Sequence, residues 1–250
     1  MAGAACAMRV VSDDDMCMYG LRLSAQTMNQ TRNYCTRRQI LVAATGLCAT
    51  GGRVLATTGK TGKTGKPARI LIMGDSLSAE YGLARGSGWV ALLQVRLQQQ
   101  GVTAEVINAS ISGETTSGGM TRLPLLLKQH QPTHVVIELG ANDALRGLAL
   151  KSSKANLQAM IESSQQAGAK VLLIGMMVPP NYGKRYTDDF QAMFPELAHV
   201  HHTALVPFLL KGIADRPDAR DWFQADGNHP LAKGHPIMLD SIWAALKPQL

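Results

Sequence analysis

From Pro67 onward, apolar residues come in short blocks that alternate between two periods. Arg69–Met73 (Arg-Ile-Leu-Ile-Met) is a near-continuous apolar run closed by Gly74, the pattern of a strand buried on both faces. Trp89, Leu92, Leu93 and Leu97 then recur at helical spacing and predict a helix over Trp89–Gln100. Ala104–Asn108 reads as a second strand, and Leu123–Gln129 as a helix with Pro124 in its first turn. His134–Leu139 reads as a third strand ending at Gly140, and Ser153–Gly168 as a helix stopped by Gly168. Lys170–Ile174 and Ala204–Pro207 give strands four and five, and Pro230–Leu246 a closing helix. This alternation predicts an α/β fold with three α/β/α layers: a doubly wound, five-stranded parallel sheet with helices on both faces. In such a sheet, ligand sites lie beyond the carboxyl ends of the strands.

Upstream of Pro67 the pattern changes. Thr36-Arg37-Arg38-Gln39 leads into Ile40–Gly52, an apolar run rich in Ala, Gly and Thr and shorter than the roughly 20 residues that span a bilayer. With the small-residue site Val54-Leu55-Ala56, residues 1–56 read as an export signal cut after Ala56, and Arg37-Arg38 suits the twin-arginine type. An uncleaved extension is the alternative reading, and Met28 offers a second start. Residues 57–67 read as a flexible linker in which Thr-Gly-Lys is repeated three times. A phosphate-binding loop is excluded there, because Val54 and Thr57 stand where its first glycine is needed. Residues 68–250 are left as the folded domain.

Charge and cysteine content remove further classes. The formal charge is +7, but residues 57–250 hold 19 basic and 15 acidic residues with no basic stripe interleaved with aromatics. Nucleic-acid binding is therefore not expected. All four cysteines lie at or before Cys48, so the domain has no disulfide framework, cysteine metal site or cysteine nucleophile. His199, His201 and His202 cluster without a carboxylate or thiol at ligand spacing, which favours a solvated loop over a metal site. His130, His134 and His235 read as structural or surface residues.

The predicted strand ends carry the chemistry. Gly74-Asp75-Ser76-Leu77-Ser78 puts a serine at a strand-to-helix turn, and Asp226-Gly227-Asn228-His229-Pro230 puts a carboxylate three residues before an imidazole. Ser76, Asp226 and His229 can act as nucleophile, orienting acid and general base. Taken alone, Ser76 also reads as a helix cap, Gly113 as a positive-φ turn and Asn142 as an Asx turn. Together, the N–H groups of Ser76 and Gly113 and the side-chain amide of Asn142 converge as donors to an oxyanion.

These blocks resemble the GDSL or SGNH hydrolases, named for Ser76, Gly113, Asn142 and His229 in this chain, and the resemblance runs through Arg69–Leu250. Asn108–Thr115, Leu123–Pro132, Glu138–Gly147 and Pro180–Tyr186 are similar to the bacterial periplasmic acyl-CoA thioesterase I, lysophospholipase and arylesterase group. The resemblance implies a flavodoxin-like SGNH fold and a serine hydrolase acting on acyl esters, thioesters or lysolipids without metal or organic cofactor. It implies a substrate surround that takes in Asp75, Leu77, Ala141, Asp143, Pro180 and Tyr182. With the export signal and the balanced charge of the body, the expectation is a periplasmic or secreted monomer with no nucleic-acid partner and no stable membrane insertion. A carbohydrate O-deacetylase and a non-enzymatic small-ligand module remain as alternatives. The chain departs from the group at Glu80, where members often have Gly. A pocket-facing Glu80 would disfavour anionic substrates and raise the pKa of His229, whereas an outward one would do nothing.

Overall fold

The computed structural model describes residues 67–250; the expected export signal, most of the Thr-Gly-Lys linker and all four cysteines lie outside them. Five strands, β1 (Ala68–Gly74), β2 (Ala104–Asn108), β3 (His134–Glu138), β4 (Lys170–Ile174) and β5 (Ala204–Val206), form one parallel sheet in the order β2-β1-β3-β4-β5. The doubly wound α/β architecture is the expected one. β1 from Ile70 and all of β3 are buried, which is why both read as unbroken apolar runs. The chain steps from β1 outward to β2, then crosses back past β1 to β3. The crevice between the ends of β1 and β3, where Gly74 pairs with Glu138, is thus the topological switch point.

Six helices cover the sheet: α1 (Trp89–Gln99), α2 (Thr116–His130), α3 (Ala141–Leu145), α4 (Leu150–Gln166), α5 (Lys184–Val200) and α6 (His235–Leu246). α1 packs with α6, while α2, α4 and α5 pack side by side, as right-handed crossovers in two directions require. Trp89, Phe190 and Phe194 are the largest fully buried side chains, and the two phenylalanines meet edge to face at 5.3 Å.

The start of α2, the start of α6 and the presence of α5 differ from the sequence expectation, each for a packing reason. α2 begins at Thr116, not Leu123, with Thr115 capping Gly118 N–H at 3.4 Å. Its Gly118-Gly119 pair mimics a loop, but a Cβ on Gly119 would lie 2.4 Å from Leu139 Cδ1, so the glycine lets the helix pack closely here without moving that side chain. Pro124 therefore falls inside the helix. α6 begins at His235, not Pro230, because Pro230 is paired in a bridge with Phe223 and Ala232–Gly234 forms a 3-10 turn. α5, absent from the expectation, buries Phe190, Met193, Phe194 and Leu197 on one stripe despite Pro195.

His134 and His235 are buried, in keeping with structural roles. His134 Nδ1 meets Thr133 Oγ1 at 2.8 Å, and His235 Nδ1 accepts the Trp89 N–H at the start of α1 at 3.1 Å.

Candidate active site

At the end of β1 the backbone turns back at once. Ser78 and Ala79 N–H donate to the Asp75 carbonyl (3.2 and 3.0 Å), and Leu77 N–H donates to Asp75 Oδ1 (3.0 Å). Gly74 is obligatory in this turn, since a Cβ would lie 2.6 Å from Ser78 Oγ and 2.8 Å from Glu138 Oε2. The turn lifts Ser76 to the cavity wall and leaves its N–H without an acceptor among the described residues.

A second loop brings His229 over this serine. Gly227, at φ +70°, lets Asp226 Oδ1 accept the Asn228 and His229 N–H groups at 2.9 and 3.1 Å. Asp226 Oδ2 then meets His229 Nδ1 at 2.7 Å, and His229 Nε2 meets Ser76 Oγ at 2.8 Å. Burial pushes the Asp226 carboxyl up, but the Asn228 and His229 hydrogen bonds outweigh it and hold the group below its usual range. A carboxylate thus fixes the imidazole with its far nitrogen on the serine. The Tyr81 ring lies 4.5 Å from the imidazole ring, centroid to centroid. Gln224 joins the two loops: its backbone N–H donates to the His229 carbonyl at 2.8 Å and its Nε2 to the Tyr81 carbonyl at 2.9 Å.

The remaining strand ends converge here. Gly113 has φ +77°, its carbonyl accepts Arg146 Nη2 at 2.9 Å, and its N–H meets no acceptor among the described residues. Asn142, in the first turn of α3, donates Nδ2 to Asp75 Oδ2 and to the Glu114 carbonyl, both at 3.0 Å. Both amide protons are therefore engaged, and a substrate oxygen can take one only by displacing the Glu114 carbonyl. A cavity of about 470 Å³ opens beside Ser76, walled by Leu145, Met176, Val178, Pro179, Phe208 and Leu210. Among the described residues, no group of three or more His, Cys, Asp or Glu side chains is arranged to hold a metal ion.

Residues 72–237 match the model of the GDSL-like Lipase/Acylhydrolase family. The chain belongs to this family. It is 48% identical over 181 residues to Esterase TesA of Pseudomonas aeruginosa, covering 72% of this chain and 89% of that one. Over 179 residues it is 40% identical to Thioesterase 1/protease 1/lysophospholipase L1 of Escherichia coli strain K12, covering 72% and 83%. A crystal structure of TesA matches with a TM-score of 0.70 at 47% identity, over 73% of this chain and 99% of that one.

Within this GDSL-like hydrolase, the expected substrate surround divides. Asp75, Leu77 and Ala141 line the cavity along with Ser76, Asn142 and His229. Asp143 does not: it is buried, and its oxygens are taken by Thr116 N–H (2.9 Å), Thr116 Oγ1 (2.5 Å) and Ser153 Oγ (3.0 Å). Tyr182 also lies off the cavity wall, donating its hydroxyl to the Leu145 carbonyl at 3.1 Å. Pro180 falls in the 3-10 turn Pro180–Tyr182, directly after the cavity-lining Pro179.

Glu80 fits neither expectation. It adopts φ +59°, where glycine would be unstrained, and its carboxylate accepts Gly86 N–H (3.0 Å) and Gly88 N–H (2.7 Å). It therefore organises the loop before α1 and is not among the residues lining the cavity. Sequence reasoning passed over Tyr81, Gln224, Glu114 and Glu138. Only Glu138 left a readable signal: a carboxylate in an otherwise apolar strand, now 2% exposed.

Proposed function

We propose that this enzyme hydrolyses carboxylic esters and thioesters of acyl substrates, including aryl esters, acyl-CoA and lysophospholipids, through an acyl-enzyme on Ser76. The unbroken hydrogen-bond chain Ser76–His229–Asp226, at 2.8 and 2.7 Å, carries the reading. Ser76 Oγ attacks the carbonyl carbon while His229 Nε2 takes its proton, and Asp226 stabilises the imidazolium. The negative charge on the carbonyl oxygen is met by the Ser76 and Gly113 N–H groups and by Asn142 Nδ2, which exchanges the Glu114 carbonyl for the oxyanion. His229 returns the proton to the departing alkoxide or thiolate. Water then attacks the acyl-enzyme with His229 as base, and the carboxylic acid leaves. The apolar wall of Met176, Val178, Phe208 and Leu210 favours an acyl chain over the acetyl group of a carbohydrate O-deacetylase.

The export signal read at residues 1–56 supports a periplasmic or secreted location, and no helix among the described residues is long and apolar enough to cross a membrane. The proposed working form is a monomer acting on small molecules.

Ser76→Ala tests the mechanism. Hydrolysis of p-nitrophenyl butyrate should fall by at least about 10³-fold, and labelling by a fluorophosphonate should vanish. Retained turnover would dismiss the Ser76 mechanism.

A further inference from the structure

Directly beneath the nucleophile lie two carboxyl groups that the ester-hydrolysis mechanism does not use. Asp75 and Glu138 are 1% and 2% exposed, and no ion pair among the described residues involves either. They are adjacent: Gly74, the residue before Asp75, pairs with Glu138 across the β1–β3 ladder, and Asp75 N–H donates to Glu138 Oε2 at 3.3 Å. Two buried carboxyls this close, with no ion-pair partner among the described residues, do not both ionise, so one of them keeps its proton.

The surrounding donors assign that proton. Both oxygens of Asp75 are met by N–H groups: Oδ1 by Leu77 N–H and Oδ2 by Asn142 Nδ2, each at 3.0 Å. Glu138 receives its donors, Ser78 Oγ at 2.7 Å and Asp75 N–H at 3.3 Å, on Oε2 alone. Glu138 Oε1 is left to hold the hydrogen.

We propose that Glu138 is a positioning residue of the active site: as a neutral carboxylic acid it donates to Asp75, fixing the carboxylate that orients the Asn142 amide. This rests on Asn142 acting as an oxyanion donor. An ionised Asp75 can only accept, so Asn142 presents Nδ2 to it and not Oδ1, and the second Nδ2 proton then points to the Glu114 carbonyl beside the oxyanion position. If the proton sat on Asp75 instead, the Glu114 carbonyl alone would hold the amide with Nδ2 forward. Burial agrees with the assignment: it pushes Asp75 up to about 6 and Glu138 well above the usual glutamate range, with the Asp75 charge adding to the latter.

The test compares two variants on p-nitrophenyl butyrate. Glu138→Gln keeps one donor and one acceptor and should retain kcat within about threefold. Glu138→Leu removes both and should lower kcat about 10- to 100-fold with KM unchanged, less than or equal to the loss of an oxyanion donor. The infrared difference between wild type and Glu138→Gln at pH 7 should contain the C=O band of a protonated carboxylic acid. An unchanged kcat in Glu138→Leu, a loss in Glu138→Gln as large as in Glu138→Leu, or the absence of that band would overturn the proposal. Should the leucine variant fail to fold, the glutamine variant and the infrared band decide. If Ser76→Ala remained active, the Ser76 mechanism would fail while the band still reported on Glu138, so the two failures are distinguishable.

Discussion

Glu138 keeps its proton in the folded chain across a pH range in which an unfolded glutamate has lost it, because burial and the neighbouring Asp75 charge disfavour its anion. A raised folded pKa gives stability that is fully present below the unfolded value, near 4.5, and lost as pH rises toward the folded pKa. The buried histidines His134 and His235 act in the opposite sense: burial lowers their pKa values, so stability grows as pH rises toward the ordinary histidine range. A comparison with Glu138→Gln cancels the histidines and isolates the carboxyl pair, whose charged neighbours are each other and His229. From pH 4.5 upward, the stability of wild type relative to Glu138→Gln should fall by up to about 1.4 kcal/mol per pH unit, read from urea midpoints. A pH-independent difference would mean that Glu138 is ionised in the folded chain as readily as in the unfolded one.

At the scale of elements, Asp143 clasps three helices: it sits in α3, caps α2 through Thr116 and reaches Ser153 of α4. Asp143→Ala would leave the Thr116 N–H and two hydroxyls in the interior without that acceptor, at a cost of about 3 kcal/mol. The thermal midpoint should drop by several degrees while KM of the folded enzyme stays unchanged; a raised KM without destabilisation would restore Asp143 to the substrate surround. This residue also shows where sequence reading stops. β1 and β3 were legible because full burial writes an unbroken apolar run, and Ser76, Asp226 and His229 because their partners lie in short motifs with fixed spacing. Asp143 belongs to the same motif as Asn142, yet its partners lie 27 and 10 residues away, so its direction was not written locally. The start of α2 was hidden for a similar reason: Gly119 answers to Leu139, 20 positions away just past β3, while locally Gly118-Gly119 looks like a loop. Tyr81 meets His229 and Gln224 across 143 or more positions, and neither Tyr81 nor Gln224 carries a motif.

For the whole molecule, the sheet order decides what the cavity can hold. The switch point between β1 and β3 sets Ser76 at one end, and the segments after β4 and β5 supply Met176, Val178, Phe208, Leu210 and Ala214 on one side of it. At about 470 Å³ this space falls within the range of small-molecule sites, and its apolar lining makes each buried methylene worth about 0.8 kcal/mol. Four methylenes then separate an octanoyl from a butyryl ester by about 3 kcal/mol, over 100-fold in kcat/KM where the chain is fully enclosed. Ala214 is exposed to solvent yet lines the cavity, so a larger side chain there can fill the acyl space without overpacking the core. Ala214→Trp should lower kcat/KM for p-nitrophenyl octanoate at least about tenfold while leaving butyrate within about threefold. Equal loss on both esters would place the acyl chain elsewhere. An unchanged octanoate rate would mean that the chain leaves the cavity before reaching the β5 side, and the wall built by the second half of the sheet would then serve the leaving group.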